Sequence, residues 1–411
     1  MIKNIVIIND YANINGGASQ VAINSAYLFA KSGYKVTFIY GCGYPDKLLE
    51  HENIEKINLG LYDLLTEPNK YKAMINGLFN YRVKSRVFNI LSKFSCCDSI
   101  IHIHSWTKTL SSSVFSAAKK SKIDVFLTLH DYFSICPNGA LFDFKKKKIC
   151  KFTPLSISCF KCDCDSRSYI YKVWRYIRQI ILKYQFNGDY ITYIPVSKFS
   201  FSILNRYLVN CDVNNIVYNP IRSVPSSKVA VSTSKNMLYV GRLEVEKGVD
   251  FLISNFDDDF FVLNIVGSGS IKNIFDTKKN IKYLGWLNQN EVINEFRKAR
   301  FLVFPSVIYE TLGLTVLEAF SLGVPVLISN VCAGTEFVKD GYNGLIYNVN
   351  DSKDFLLKLE LLKNDKFIEE LSVNAFNTYW NNPFTESKYI KNIISIYHRK
   401  LNEGISSHSS L

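Results

Sequence analysis

The chain has 411 residues, of which 47% are hydrophobic, so it is long enough to bury the cores of two domains of ordinary size. No run of 18 apolar residues occurs, and the apolar run at residues 5–8 is too short for the core of a signal peptide. These features exclude a membrane-spanning chain, and we expect a globular protein that stays in the cytoplasm.

The net charge of +13 is confined to the first half of the chain. Residues 1–220 hold 28 Lys and Arg against 15 Asp and Glu, whereas residues 221–411 hold 21 of each. A basic first half favours an anionic partner such as anionic lipid, a phosphorylated acceptor or nucleic acid. The alternative is a general lysine bias on a solvated surface.

The chain begins with a predicted strand, loop and helix. Residues 5–8 are predicted to form a buried strand, and Gly16 and Gly17 open a helix at residues 18–32. Paired glycines at such a turn let the backbone approach a phosphate or a sugar. The dinucleotide fingerprint is absent, because no G-x-G-x-x-G follows the strand and no acid ends the next strand at residues 36–40.

Strands and helices continue to alternate, which is typical of a doubly wound α/β domain. Strands are predicted at residues 99–103 and 124–129, with a helix at residues 107–121 between them. Ligands bind beyond the carboxyl ends of strands in such sheets. The side chains that fall there are His104, Trp106, His130 and Asp131. We favour a functional role for the adjacent His-Asp pair, with structural hydrogen bonding as the alternative.

A cysteine-rich insert, residues 136–164, interrupts this alternation and includes a lysine run at residues 145–148. Without a secretion signal, reduced or metal-bound thiols are expected more often than disulfides. Four thiolates could bind one structural Zn²⁺ tetrahedrally. Because only one C-x2-C is present, reduced thiols and a disulfide stay open as alternatives. The candidate ligands are Cys136, Cys150, Cys159, Cys162 and Cys164.

Residues 168–186 are predicted to form a basic aromatic helix. Four cations lie on it beside five aromatic rings, so it could lie on a membrane surface. The alternative is an amphipathic helix packed on its own domain. The cations are Lys172, Arg175, Arg178 and Lys183, and the rings are those of Tyr169, Tyr171, Trp174, Tyr176 and Phe186.

The first domain ends after a strand at residues 190–196 and a helix that starts at Ser197. The Ser- and Val-rich residues 223–234 are predicted to be a linker. The second domain then begins at Asn236, with a strand at residues 237–240.

Two cations follow that strand and could bind a diphosphate. Arg242 and Lys247 lie just beyond its end, and each charged hydrogen bond would contribute roughly 1.5–3 kcal/mol. Salt bridges to Glu244 and Glu246 are the alternative.

Three further features of the second half have structural meaning. Gly267 and Gly269 form a tight turn suited to close approach of a ligand. Asn288 and Glu291 are predicted to cap the next helix. The last helix, residues 385–401, could return to brace the first domain.

The most informative stretch is residues 305–318. A strand at residues 301–304 leads into a loop, then a helix at residues 313–321 and a strand at residues 324–328. Glu318 lies among apolar residues of this helix, where a carboxylate without a partner costs roughly 2–7 kcal/mol. Vicinal ribose hydroxyls would satisfy it, as would a buried arginine or a backbone turn.

The loop before this helix is a candidate anion site. Glu310 lies in the loop, and the helix dipole adds to the amides that open the helix. This arrangement favours a nucleotide-type ligand, with a plain structural role as the alternative. The amides belong to Thr311, Leu312, Gly313 and Leu314.

On these motifs the chain resembles the retaining glycosyltransferases of the GT-B fold, in glycosyltransferase family 4 (glycosyl transferases group 1). The resemblance covers nearly the whole chain. It rests on the E-x7-E pair Glu310 and Glu318, Gly241-Arg242-Leu243 with Lys247-Gly248, Gly267-x-Gly269, Gly16-Gly17 and His130-Asp131.

The resemblance implies two Rossmann-like, doubly wound α/β domains that face each other across a cleft. Residues 1–220 would be the acceptor-binding domain, with the cysteine-rich insert at residues 136–164. Residues 221–384 would bind the nucleotide sugar, and a helix at residues 385–411 would pack back on the first domain.

The resemblance also implies roles for single residues. Arg242 and Lys247 would hold the donor diphosphate, Glu318 the ribose and Glu310 the sugar hydroxyls, while His130 would contact the transferred sugar. Catalysis would proceed with retention and without a metal ion. The other implied site residues are Asp131, Gly16, Gly17, Trp106, Gly267, Thr311, Leu312, Gly313 and Leu314.

The implied function is transfer of a hexose-type sugar from a nucleotide-diphosphate sugar to a saccharide or lipid-linked saccharide. The expected setting is synthesis of a surface polysaccharide or lipopolysaccharide, at the inner face of the cytoplasmic membrane and in peripheral contact with anionic lipid. A non-catalytic nucleotide-sugar binder is one alternative, disfavoured because both carboxylates and both cations are intact. A basic protein of the membrane surface or of nucleic acid is the other, although no nucleic-acid module is recognised and no nucleic-acid partner is expected.

Overall fold

The computed structural model describes residues 2–221, 227–271 and 279–408, with side chains described as far as Asn402. The predicted linker at residues 223–234 therefore lies partly outside the described residues. The chain forms two compact units. Unit 1 comprises Met1–Ala140, Phe152–Pro220 and Glu386–Leu411, and unit 2 comprises Leu141–Lys151 and Ile221–Thr385.

Unit 1 is built on a parallel sheet. The strands of the first part of the chain are β1 (Asn4–Tyr11), β2 (Lys35–Cys42), β3 (Ile54–Asn58), β4 (Ser99–Ile103), β5 (Val125–Leu129), β6 (Phe142–Asp143), β7 (Lys148–Ile149) and β8 (Ile191–Pro195). Six of them form the sheet in the order β3-β2-β1-β4-β5-β8. Residues 5–8 of β1 are all buried, because helices cover both faces of a parallel sheet.

The helices of unit 1 connect and cover these strands. They are α1 (Gly17–Lys31), α2 (Lys70–Leu78), α3 (Tyr81–Leu91), α4 (Ser113–Ser121), α5 (Ile157–Lys161), α6 (Tyr169–Gln185) and α7 (Lys198–Leu204). Neither α2 nor α3 was predicted from the sequence, although α3 has a clear signal: Val83, Val87 and Leu91 recur at i, i+4 and i+8 and are buried.

Unit 2 repeats the same architecture. Its strands are β9 (Asn236–Val240), β10 (Val262–Val266), β11 (Ile281–Gly285), β12 (Ala299–Phe304), β13 (Val326–Ser329) and β14 (Gly344–Tyr347). Its helices are α8 (Val249–Asn255), α9 (Gln289–Arg297), α10 (Leu314–Ser321), α11 (Ser352–Leu361) and α12 (Asp365–Trp380). The predicted cap of α9 is present, since Asn288 accepts from the Glu291 N–H at 3.2 Å and Glu291 accepts from the Asn288 N–H at 2.7 Å.

The strand order places the functional loops. The unit 2 sheet runs β11-β10-β9-β12-β13-β14, so in each unit the first strand lies between the second and the fourth. The order reverses between β1 and β4 in unit 1 and between β9 and β12 in unit 2. In doubly wound sheets ligands bind beyond the carboxyl ends of strands at this reversal. In each unit, the loops after these two strands are therefore the candidate binding region.

The hairpin of β6 and β7 belongs to a different unit from the one predicted. Residues 141–151 were expected within the first domain, but they belong to unit 2. Phe142 pairs with Ile149 in an antiparallel ladder, and Lys147 at the turn forms an ion pair of 2.7 Å with Asp250. This long-range pair has no signal in the local sequence.

The last helix, α13 (Glu386–His408), belongs to unit 1. Its Tyr389 hydroxyl lies 2.8 Å from the Ser25 hydroxyl, and its Tyr397 hydroxyl lies 2.6 Å from Nδ1 of His102. The Tyr397 ring also packs against Phe126, with ring centroids 4.5 Å apart. The end of the chain thus completes the core of the first unit.

The predicted helix at residues 107–121 begins only at Ser113, and the earlier start was wrong. The buried Asp10 carboxylate accepts from the backbone N–H groups of Lys108, Thr109 and Leu110, at 2.9–3.1 Å. Ser111 then has a positive φ of 61°. A residue in this left-handed conformation interrupts a right-handed helix, so the turn that Asp10 binds stays separate from α4.

Helix α6 packs on its own unit with one face. The Trp174 indole donates to the Met74 carbonyl at 3.0 Å, and Gln179 donates to the Ser134 carbonyl at 3.0 Å. The opposite face leaves Ile170 and Tyr184 exposed. None of the described helices combines the length and the apolarity needed to cross a membrane.

Replacing Tyr397 with Phe should destabilise unit 1. The change removes the hydroxyl that meets Nδ1 of buried His102, and a buried polar group left without its partner costs about 1–3 kcal/mol. Urea unfolding followed by circular dichroism measures the loss. Tyr184→Phe is the matched control, because its ring is exposed. Equal free energies of unfolding for both variants would contradict this role of Tyr397.

Candidate active site

The loop after β12 leads into α10 much as the sequence predicts. Helix α10 starts at Leu314 with Gly313 as its N-cap, and no side chain caps its first turn. Gly323, just beyond its end, has a positive φ of 74°. Uncapped amides and the helix dipole make this end of α10 suited to an anion. The predicted amide set of Thr311, Leu312, Gly313 and Leu314 lies at this end of the helix.

The loops after β9 and β12 approach each other through their backbones. Gly248 has a φ of 70°, and a Cβ placed on it would lie 1.9 Å from the Pro305 carbonyl oxygen. The Val307 N–H also donates to the Glu246 carbonyl at 3.1 Å. Only glycine fits at position 248, because any side chain would separate the two loops.

This approach places Lys247 against Glu310. The Lys247 ammonium lies 2.5 Å from Oε1 of Glu310, and the Ser306 hydroxyl donates to the same oxygen at 2.7 Å. Both charged side chains are mostly buried, with 19% and 13% of their surface exposed. The residue predicted to bind the diphosphate and the residue predicted to bind the sugar are thus neighbours. They are 63 residues apart in the chain, so the sequence alone could not show this contact.

Arg242 lies nearby but is far more exposed. Its guanidinium is 66% exposed and forms an ion pair of 3.3 Å with Glu246, so one of the alternative salt bridges does form. Such exposed pairs contribute about 0–1 kcal/mol, so a ligand can displace it. Glu244 instead accepts from the Ser270 hydroxyl at 2.6 Å.

The glycine turn after β10 packs against the loop after β9. Gly267 has a φ of 136°, and a Cβ there would lie 1.8 Å from the Gly241 carbonyl oxygen. A Cβ on Gly269 would lie 2.3 Å from the Leu243 carbonyl oxygen. Both glycines are therefore required for loop packing, and contact of Gly267 with a ligand stays a prediction.

Glu318 lies on α10 in an apolar environment, as predicted. Burial raises the pKa of its carboxyl to about 7. Within the described ranges, no side chain or amide bonds this carboxylate. The buried arginine of this unit, Arg300, forms an ion pair with Asp365 at 2.7 Å instead. Glu318 is only partly buried, so its carboxylate is open to solvent, and its role as a ribose ligand stays a prediction.

In unit 1 the predicted glycines open α1. Gly16 is its N-cap with a φ of 105°, no side chain caps the helix, and both Gly16 and Gly17 are exposed. Nothing lies within 4 Å of a Cβ placed on either residue. The loop leaves room for a ligand to approach the backbone.

Trp106 does not face solvent, in contrast to the prediction that it binds substrate. Its side chain is buried, and its ring packs edge-to-face on Phe115 with centroids 5.0 Å apart. Trp106 directly precedes the turn that Asp10 binds, and its position favours a packing role. Asp10 was not singled out in the sequence, although an acid at the end of a buried strand is a signal that could have identified it.

A row of three histidines crosses the carboxyl ends of β4 and β5. The rings of His102 and His104 lie 4.2 Å apart, and Nδ1 of His104 lies 3.0 Å from Nε2 of His130. Burial lowers the pKa of His102 and of His130 to about 3. His130 is therefore neutral at pH 7 and suited to hydrogen bonding rather than to proton transfer.

Asp131 follows His130 and accepts from the Phe133 N–H at 2.9 Å. Burial raises the pKa of its carboxyl to about 6, despite that hydrogen bond and the nearby charge of Arg178. Of the His130-Asp131 pair, it is therefore the Asp131 carboxyl whose pKa lies nearer to neutral pH.

The cysteines of the insert divide between the units. Cys150 lies in the unit 2 segment, whereas the others lie in unit 1. Lys172 is buried beside the thiol of Cys159, with 3.3 Å between nitrogen and sulfur. Among the described residues, no group of three or more His, Cys, Asp or Glu is placed to hold a metal ion. The predicted zinc site has no support from this geometry, and zinc analysis of the purified protein is its test. The other predicted ligands are Cys136, Cys162 and Cys164.

Known proteins resemble this chain in sequence. Residues 223–378 match the family model described as glycosyl transferases group 1. An uncharacterized 41.2 kDa protein in the cps region of Klebsiella pneumoniae is 27% identical over 314 residues, which cover 69% of this chain and 81% of that protein. An Escherichia coli UDP-Gal:alpha-D-GlcNAc-diphosphoundecaprenol alpha-1,3-galactosyltransferase is 30% identical over 173 residues, 40% of this chain and 42% of that enzyme.

Solved structures resemble it in fold. Sucrose-phosphate synthase from Thermosynechococcus elongatus has a TM-score of 0.72 at 15% identity, covering 98% of this chain and 100% of that one. WaaG, a glycosyltransferase involved in lipopolysaccharide biosynthesis, has a TM-score of 0.65 at 14% identity, covering 95% and 99%. Together with the two parallel-sheet units, these structures show that the chain has the GT-B fold, and residues 223–378 match the glycosyl transferases group 1 family.

Proposed function

We propose that this glycosyltransferase is a member of glycosyltransferase family 4 that transfers a hexose-type sugar from a nucleotide-diphosphate sugar, with retention and without a metal cofactor. The observation that carries the proposal is the cluster at the start of α10. It combines the Lys247–Glu310 pair, an uncapped helix N-terminus and the Glu318 carboxylate without a protein partner.

The donor diphosphate is assigned to the cations and amides of this cluster. Lys247 and Arg242 neutralise the phosphates, and the amides of residues 311–314 add partial positive charge. Such preorganised donors stabilise a leaving diphosphate as negative charge develops on it. Lys247 then lies between the diphosphate and Glu310, which stays oriented toward the sugar hydroxyls.

Glu318 is assigned to the ribose. Its two carboxylate oxygens can accept from two adjacent hydroxyl groups, which are polar partners small enough to reach it. A nucleotide thereby gives this carboxylate the hydrogen bonds that the described protein does not.

We propose that the chemical step occurs on one face of the sugar. The bond between the anomeric carbon and the diphosphate oxygen breaks, and the acceptor hydroxyl bonds the same carbon from the same face. The departing phosphate oxygen takes the hydroxyl proton. Glu310 and Glu318 are assigned to hydroxyl binding, so neither serves as a covalent nucleophile, and neutral His130 donates or accepts a hydrogen bond to the sugar.

For the acceptor we propose a saccharide or lipid-linked saccharide of a surface polysaccharide pathway. The support is the cps-region relative, the galactosyltransferase named for a diphosphoundecaprenol acceptor, and an Escherichia coli O-antigen chain mannosyltransferase B that is 44% identical over 71 residues. The basic charge of residues 1–220 supports peripheral contact with anionic lipid at the inner face of the cytoplasmic membrane.

The donor can be identified by thermal shift with UDP-, GDP- and ADP-sugars, because binding at 100 times the Kd adds about 2.7 kcal/mol of stability. With that donor, Lys247→Ala and Glu310→Ala should each lower kcat/KM by roughly 100-fold, since each removes a charged contact to the reacting groups. Lys298→Ala is the matched control, because it breaks an exposed ion pair of the same unit. Near-normal turnover of both site variants would refute the assignment.

Nucleotide affinity should rise with pH as Glu318 ionises through its pKa of about 7, because the carboxylate is the better acceptor for ribose hydroxyls. The raised pKa also means that the folded protein holds this proton longer than the unfolded chain. Stability without ligand should therefore fall between pH 4.5, the ordinary value, and about 7. Calorimetric titration across this range measures the affinity. Glu318→Gln should abolish the pH dependence, and an unchanged profile in that variant would contradict the assignment.

Transfer should persist in EDTA, because side chains and amides neutralise the diphosphate in this proposal. The measurement is the initial rate before and after dialysis against chelator, with circular dichroism as the check on folding. A rate that disappears in EDTA and returns with Mg²⁺ or Mn²⁺, while the protein stays folded, would require a metal in the mechanism.

A further inference from the structure

A cavity of about 480 Å³ lies within unit 1, apart from the residues assigned to the donor. It is bounded by α2, α6 and the loops that follow β4 and β5. Its size is within the roughly 300–1,000 Å³ of small-molecule sites. The residues used below line it: Lys108, Arg175, Arg178, Phe133, Trp174, Met74 and Ile170.

Five cations line this cavity: Lys70, Lys108, Arg167, Arg175 and Arg178. Arg178 lies over the rings of Phe133 and Trp174, 5.1 and 5.3 Å from their centroids. Burial lowers the pKa of Lys108, Arg175 and Arg178, and in each case a neighbouring arginine lowers it further. Positive charges held this close repel one another, so an anion bound among them would be stabilised.

Carboxylates offset part of this charge from outside the cavity lining. Asp165 forms an ion pair of 3.3 Å with Arg175, and the charge of Asp131 favours ionised Arg178. The charges of Asp63 and Asp10 likewise favour the ionised form of Lys108. Because none of these acids lines the cavity, its interior presents cations to a ligand.

The rim of the cavity is apolar and continues onto an exposed surface. Met74 of α2 and Ile170 of α6 are 49% and 76% exposed. From Ile170 an exposed apolar stripe continues along α6, and a second one lies on α2. These stripes consist of Ile177, Ile180 and Tyr184 on α6 and Tyr71 and Ile75 on α2.

We propose that this cavity binds the diphosphate and the first isoprenoid units of a lipid-linked acceptor, which enters from the membrane between α2 and α6. The inference rests on the proposed glycosyl transfer and names the acceptor class of that reaction. Cations inside meet the diphosphate, the rings of Phe133 and Trp174 meet the proximal chain, and the apolar stripes lie against the bilayer. A soluble saccharide would use neither the apolar rim nor the stripes.

Farnesyl diphosphate is a suitable probe, since it joins a diphosphate to a short isoprenoid chain. Titration calorimetry of the full chain, supported by Trp174 fluorescence, should show that it binds at least tenfold more tightly than inorganic pyrophosphate or farnesol. Lys108→Gln should weaken it roughly tenfold or more, as expected for the loss of a charged contact. The variant keeps the backbone N–H that bonds Asp10, so the loop should stay folded.

Lys183→Gln is the matched control. It removes the same charge from α6 at an exposed position outside the cavity, and it should leave the affinity unchanged. Ile170→Glu, at the rim, should lower both probe affinity and sedimentation with anionic phospholipid vesicles. Equal effects of Lys108→Gln and Lys183→Gln would overturn the proposal. The proposal would also be overturned if pyrophosphate bound as tightly as farnesyl diphosphate. The cavity would then be assigned to a soluble phosphate.

Donor binding separates this inference from the proposed function. A thermal shift with a nucleotide sugar, together with no binding of farnesyl diphosphate, would overturn only the lipid cavity. Farnesyl diphosphate binding without any nucleotide-sugar binding would overturn the proposed transfer, and the cavity would then be assigned to membrane attachment.

Discussion

The donor-side arrangement depends on one close backbone approach, that of Gly248 to the Pro305 carbonyl. This contact joins the loops at the reversal of the unit 2 strand order, where a side chain on residue 248 could not fit. It brings the Lys247 ammonium to 2.5 Å from Glu310 and leaves the start of α10 beside both. The charges assigned to the ligand are therefore positioned by backbone packing rather than by their own attraction.

Much of this site is accessible from the sequence because its signals are local. The strand, loop and helix around residues 299–321 follow from apolar periodicity and from Gly313 and Gly323, and the predicted helix start differs from α10 by one residue. Glu318 can also be recognised from its sequence neighbours. A carboxylate between buried residues on a short helix needs a partner wherever the helix packs. The parallel, doubly wound architecture of each unit follows from the alternation of strands and helices, whereas the strand order is known only from the structure.

Long-range contacts account for the features that the sequence does not reveal. The amides of residues 108–110 bond Asp10, almost 100 residues earlier, and Ser111 then takes a positive φ, so this stretch is a separate turn and α4 begins only after it. The hairpin around Lys147 joins unit 2 through Asp250, about 100 residues later. Trp106 is buried, although its place after a strand suggests ligand contact, because Phe115 of α4 covers its ring.

Net charge and functional charge are distinct in this chain. Residues 221–411 are neutral overall, yet they hold Arg242 and Lys247 in the loop after a strand. The positive end of a helix dipole there adds to the positive potential of these two side chains. Residues 1–220 carry the whole excess, but their histidines at the sheet edge are neutral because burial outweighs solvation of the charged form. Residues 141–151, which belong to unit 2, hold five of the lysines of this first half, and the cations that line the cavity beside α6 account for another part of the excess. Asp165 and Asp131 offset part of the charge at this cavity, and the diphosphate of the proposed acceptor would offset more of it.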